Sequence, residues 1–180
     1  MRARQLSFLP KSSPEHGGHT RVGQRKTVRP FDPKAPLHLV MKSSKARGER
    51  SMLHPRNRKL VDELVARITK KHRIRLLRYA NVGNHLHLLI LTRYRSHLKA
   101  FLRELGGAIA QSMTGARKGL SGKFWDQPPY TRIVTWGRQL RTLETYFIKN
   151  WFEAAGLLTR KAKAAGVRAI CTRGWTGPPS

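Results

Sequence analysis

The stretch "HLHLLIL", residues 85–91, limits the folds open to this chain more than any other. Side chains two apart in a strand share a face. Leu86, Leu88 and Ile90 therefore lie on one face, and His85, His87, Leu89 and Leu91 on the other. Both faces are apolar over the second half and are expected to be buried there, with two imidazoles side by side at the entrance. The preceding "IRLLRYANV" is a second strand, and the short turn Val82-Gly83-Asn84 joins the two as a hairpin.

The rest of the chain supplies partners for that hairpin. "APLHLVMKSS" alternates, with His38, Val40 and Lys42 on one face and Leu37, Leu39 and Met41 on the other, and reads as an earlier strand. "RKLVDELVARITKKHR" carries Leu60, Leu64, Val65 and Ile68 at helical spacing. "SHLKAFLRELGGAIAQSMTGA" repeats the pattern with Leu98, Phe101, Leu102, Leu105 and Ile109, and its Gly106-Gly107 pair is a candidate kink. "RKGLSGK" is a basic loop, "FWDQPPYTRIVT" a strand interrupted by Pro, and "GRQLRTLETYFIKNWFEAAG" a last helix closed by Gly156. The order β-α-β-β-α-β-α predicts an α+β fold: a ferredoxin-like, RRM-like antiparallel sheet with an added C-terminal helix. That fold hosts RNA binders, metal binders and nucleases alike, so function has to come from the site.

Charge narrows the partner. Thirty-seven Lys and Arg face nine Asp and Glu, a formal net charge of +28. The central residues 37–155 hold 24 basic and seven acidic side chains, so the domain itself is +17. A surface of this kind calls for a polyanion, nucleic acid before anionic membrane. Residues 1–35, with four Pro and three Gly, are expected to be a flexible basic arm, 36–157 the folded domain, and 158–180 a basic tail. Cys171 is the only cysteine, which excludes an intramolecular disulfide or a Cys-rich zinc site. "LSFLP" is too short for a secretory h-region, and no apolar run approaches the roughly 18 residues of a membrane span. The expected setting is a bacterial cytoplasm, at the nucleoid, with no membrane partner.

Two features carry chemistry. His85 and His87 at i and i+2 form a bidentate platform for one metal ion, or else two ordinary strand-end histidines bonded to loop carbonyls. In the last helix, Leu140, Leu143, Phe147, Trp151 and Ala154 make an apolar stripe. Tyr146 lies off that stripe, among Thr142, Lys149, Asn150 and Glu153, with Asn150 one turn away. It is either a surface Tyr covering Lys149 or a phenol aimed at something, with an amide beside it.

Taken together, these residues resemble the single-tyrosine HUH transposases, the enzymes of the smallest insertion sequences and their REP-associated domesticated relatives. "GNHLHLLI" is similar to the family's HUH strand and "YFIKN" to its Tyr-x-x-x-Asn/Gln helix; "PLHLVMKS" and "KFWDQPPYTRIV" are similar to flanking segments. The resemblance spans residues 35–157. It implies cleavage of single-stranded, hairpin-containing DNA by Tyr146, which keeps the 5′-phosphate as a phosphotyrosine and releases a 3′-hydroxyl. It also implies a divalent metal, Mg²⁺ or Mn²⁺, held by His85, His87 and Asn150. Bond energy is conserved in such a step, which suits a chain with no GxxxxGK phosphate loop.

His38, Lys123, Trp125, Arg132 and Lys149 are candidate DNA contacts. Phe124, Trp125, Tyr130 and Trp136 interleave with basic residues as in a base-stacking groove, although Phe124 and Trp125 read equally well as core anchors. A homodimer, with the Tyr helix acting in cis or in trans, is open. A non-catalytic single-strand binder on the same sheet explains the charge but not the coincidence of His85, His87, Tyr146 and Asn150. A 2′,3′-cyclic phosphodiesterase needs a second His-x-Thr/Ser motif that is missing, and a structural zinc module lacks a fourth ligand.

Overall fold

The computed structural model describes residues 15–18, 28–115 and 123–154. The hairpin forms as β3 (Arg75–Asn81) and β4 (His85–Leu91). Its turn needs a left-handed residue, and Gly83 supplies it at φ +89°. Asn81 Oδ1 accepts the Gly83 N–H at 3.0 Å and holds the turn closed. The remaining elements are β1 (Glu15–His16), β2 (Leu37–Lys42), α1 (Pro55–Lys71), α2 (Arg95–Thr114), β5 (Tyr130–Ile133) and α3 (Arg138–Ala154), with one 3₁₀ turn at Gly48–Arg50.

The strands form one sheet in the order β1-β5-β2-β4-β3, antiparallel throughout. Setting aside the two-residue β1, this is the expected ferredoxin-like sheet, with β4 and β2 in the middle. Strand β4 is apolar on both faces because both are covered. Leu86, Leu88 and Ile90 join Leu37, Leu39 and Met41 of β2 in the main core, under α1 and α2. A smaller cluster of Ala80, Leu89, Val134 and Phe147 fills the other face, under α3. A bulge between Leu76 and Arg78 resets the alternation of β3, so that Ala80 comes opposite His87 on the α3 side. Ala80 is small, which leaves room for the helix there.

Burial refines the helix faces. In α1 the buried set is Val61, Leu64, Val65, Ile68 and Thr69; Leu60, expected in the stripe, is exposed. A helix period of 3.6 lets the stripe drift by one position, and Val61 takes the place beside Leu64 and Val65. Helix α2 runs unbroken through Gly106-Gly107. Gly106 is needed for close approach: a Cβ there would meet Met41 Cε at 3.4 Å and Trp125 Nε1 at 3.7 Å. The Tyr79 hydroxyl bonds Asp62 Oδ1 at 2.9 Å and ties β3 to α1, and burial together with that carboxylate pushes its phenol well up.

The N-terminal arm departs from expectation where it is described. Glu15 and His16 pair with Arg132 and Thr131 as an extra edge strand. The Arg29 guanidinium donates to Pro129 O at 2.9 Å and to Thr131 Oγ1, while Arg95 donates to Arg29 O and lies over the Phe31 ring. Composition argues against a long run of secondary structure but says nothing of single backbone pairings onto a free sheet edge. Most of the arm, the loop 117–122, Gly156 and the tail 158–180 lie outside the described residues. Among the described residues, no helix is long and apolar enough to cross a membrane.

Candidate active site

Helix α3 is held across the α3 side of the sheet by Phe147, which is 2% exposed, and by an Arg78–Glu144 ion pair of 2.8 Å to β3. Leu140 and Leu143 pack against the same small cluster. Because Phe147 faces down, the preceding residue is turned to the helix flank. There the Tyr146 ring meets His87 edge to face, with centroids 5.3 Å apart and planes at 86°. Tyr146 is 43% exposed, so a ligand can reach its phenol.

His87 lies at the middle of a cluster of three imidazoles. His85 is 4.7 Å away between centroids, and His38 is stacked at 5.5 Å and 12°. His38 Nε2 and His87 Nδ1 are 3.3 Å apart, and one of them must donate. With the proton on His87 Nδ1, His87 Nε2 is a bare lone pair; that nitrogen is buried and has no hydrogen-bond partner among the described residues. His85 Nδ1 is 2.5 Å from Asn84 Oδ1, which can only accept, so His85 also keeps its lone pair on Nε2. An imidazole that gives its other N–H to a fixed acceptor is the arrangement of a metal ligand.

Electrostatics agree. Burial first, then the positive charge that His85 and His38 would carry, lowers His87 to about 3. Burial and Arg132 lower His38 to about 4, and burial with Lys42 lowers His85. At neutral pH all three are uncharged, and with the proton on His87 Nδ1 the lone pairs of His85 Nε2 and His87 Nε2 stay available while that of His38 Nε2 accepts from His87.

Asn150 of the polar stripe is 6% exposed, whereas Tyr146 and Lys149 of the same stripe are exposed. Its Nδ2 is buried and lacks a partner among the described residues. A half-turn about its last torsion exchanges nitrogen for oxygen and offers a ligand atom. In donor chemistry alone, two neutral imidazoles and an amide suit a divalent ion such as Mn²⁺. Among the described residues, no group of three or more His, Cys, Asp or Glu is placed to hold a metal.

The candidate DNA contacts separate. Arg132 lies directly opposite His38 in the β2–β5 register, on the same face, with Glu15 Oε1 3.5 Å from its Nε. Lys149 is exposed on α3. Lys123 is exposed, and its carbonyl accepts from Lys45 Nζ at 2.6 Å. Trp125 is partly buried: its indole N–H donates to Gly106 O at 2.8 Å and its ring packs on the main core, on the face of the sheet away from the histidines. Phe124 is buried in the same core. Both aromatics thus turn to the main core, a choice of face that the sequence of the loop does not contain.

Asn84 was not singled out in the sequence beyond its place in the turn; its signal is adjacency to His85. Val134, Gln139 and Thr142 carry no signal as site residues. They line a pocket of about 380 Å³ that opens beside Tyr146, with His38, Arg132, Arg138 and Leu143 among its walls.

No protein-family model matches the chain, and no curated protein matches it. Solved structures do. A candidate transposase from Deinococcus radiodurans R1 is 20% identical over 71% of this chain and 98% of that one, at a TM-score of 0.44, too loose to carry an argument. A REP-associated tyrosine transposase bound to a REP hairpin is 12% identical over 87% of this chain and 96% of that one, at a TM-score of 0.53. The chain thus shares the fold of a tyrosine transposase, the RRM-like α+β sheet with its added helix.

Proposed function

We propose that this chain is a metal-dependent single-strand DNA nuclease and transesterase of the transposase type, with Tyr146 as nucleophile. One observation carries the reading. Tyr146 meets His87 edge to face, and the Nε2 of His87 is buried and unpartnered among the described residues. The fold shared with a tyrosine transposase supports it.

In the reaction, the Tyr146 phenol oxygen bonds to the phosphorus and the bond to the 3′ oxygen breaks. The 5′-phosphate stays on Tyr146 as a phosphodiester, and the phenol proton passes through solvent to the departing 3′-hydroxyl. Reversal by another 3′-hydroxyl rejoins the strand. His85, His87 and Asn150 would hold Mg²⁺ or Mn²⁺, which polarises the phosphate as a Lewis acid. His38 orients His87 through its ring nitrogen, Asn84 orients His85, and Arg132 and Lys149 supply positive charge for the backbone. The substrate is single-stranded DNA with a hairpin, which places the protein at the nucleoid; a homodimer is compatible with this.

The test is a denaturing gel of the protein with labelled hairpin DNA from the flanks of its gene, with Mn²⁺ or Mg²⁺, beside Tyr146→Phe. An SDS-resistant, metal-dependent band absent from the Phe variant is expected. Tight binding without an adduct, across several flanking sequences and both metals, would leave a non-catalytic single-strand binder.

A further inference from the structure

The pocket beside Tyr146 has a chemistry of its own. It lies between β5 and the first half of α3 and has a volume of about 380 Å³, within the ~300–1,000 Å³ of ordinary small-ligand sites. Val134 and Leu143 give it apolar surface, while Arg132 and Arg138 bring two guanidinium groups. The imidazole of His38 and the phenol of Tyr146 complete it with two flat rings. Gln139 Oε1 accepts the Thr135 N–H at 3.2 Å, which orients the amide at the start of the helix. Glu15, beside Arg132, is the acidic side chain that the structure places close to this pocket.

We propose that this pocket takes one nucleotide of the DNA strand next to the scissile phosphate, with its base over the apolar wall of Val134 and Leu143 and its phosphate on Arg132 and Arg138. The proposal rests on DNA as the substrate and adds where the strand is gripped. An apolar slot with aromatic edges suits a base withdrawn from its stack, and a pair of guanidiniums suits the phosphate attached to it. A slot for phosphate alone would not need the apolar walls. A slot for an uncharged apolar ligand would not need the arginines. Gripping this nucleotide brings the neighbouring, scissile phosphate toward the Tyr146 phenol, which the pocket and the histidine cluster share.

The test uses the full chain, labelled at Leu and Val methyls and titrated with deoxynucleoside 5′-monophosphates, deoxyribose 5-phosphate or inorganic phosphate, with no cleavage required. The monophosphates should shift the Val134 and Leu143 methyl signals and bind at least tenfold more tightly than deoxyribose 5-phosphate. Thr142→Trp, at an exposed helix position on the pocket wall, should weaken that binding tenfold while the remaining methyl spectrum stays native. Arg138→Ala, also at an exposed position, should weaken both the monophosphates and deoxyribose 5-phosphate. Equal affinity with and without a base would overturn the proposal in favour of a plain anion site. So would methyl shifts that Thr142→Trp leaves unchanged. Nucleotide binding here without a Tyr146 adduct would sink the nuclease and keep the pocket; an adduct without base binding would do the reverse.

Discussion

Replacing Phe147 with Ala separates the two halves of this fold. Phe147 is 2% exposed and belongs to the small cluster with Ala80, Leu89 and Val134, touching His38 and His87 edge-on at 5.6 and 6.0 Å. Truncating a buried Phe costs about 3–5 kcal/mol. Phe147 is the bulkiest buried side chain described in α3, with Leu140 and Leu143 packed partly buried on the same cluster and Ile148 buried next to it in sequence. The Arg78–Glu144 pair is about one-third exposed on each side, so it contributes about 0–1 kcal/mol. The main core lies on the other face and contains none of the residues of the small cluster. The loss should therefore undock α3 without melting the rest. Hydrogen exchange read by mass spectrometry should show α3 amides losing protection while those of α1, α2 and β4 keep theirs, and adduct formation should fall with α3. The reasoning is refuted if α3 stays as protected as in the native protein, or if α1 and α2 lose protection with it.

Acid should destabilise the metal-free protein. His38 is held at about 4 when folded, against an ordinary value near 6.5, so below pH 6.5 the unfolded chain binds the extra proton and stability falls as pH falls toward 4. Between neutral pH and pH 5 this amounts to about 2 kcal/mol for His38, and urea midpoints of His38→Gln should show a shallower pH slope. Mixing Tyr146→Phe with His87→Ala protein should restore no adduct, since Tyr146 sits over the His87 of its own chain; recovery would mean that α3 is exchanged between subunits. Arg132→Ala should lower the salt slope of single-strand binding by roughly 0.7, the share of one phosphate, in a filter-binding series. Trp125→Phe should lose about 1 kcal/mol of stability with its bond to Gly106 and leave DNA affinity unchanged; weaker DNA binding would return Trp125 to the nucleic-acid surface.

Local pattern determined most of the architecture. The alternation of "HLHLLIL" put His85 and His87 on one face, because an unbulged strand has a side-chain period of two. The Gly83 turn, the two amphipathic helices and the order of elements left few arrangements other than this sheet, and "YFIKN" placed Tyr146 and Asn150 one turn apart. What needed the tertiary structure is everything that depends on which faces meet. Asn150 is buried while Tyr146 and Lys149 of the same polar stripe are exposed, a difference that one helix's pattern does not contain. His38 joins His87 through a diagonal contact between β2 and β4, strands far apart in sequence. Trp125 turns to the main core, and the pocket forms where β5 and α3 diverge. Sequence periodicity reports what each element hides; the site is made where hidden faces of different elements are brought together by packing.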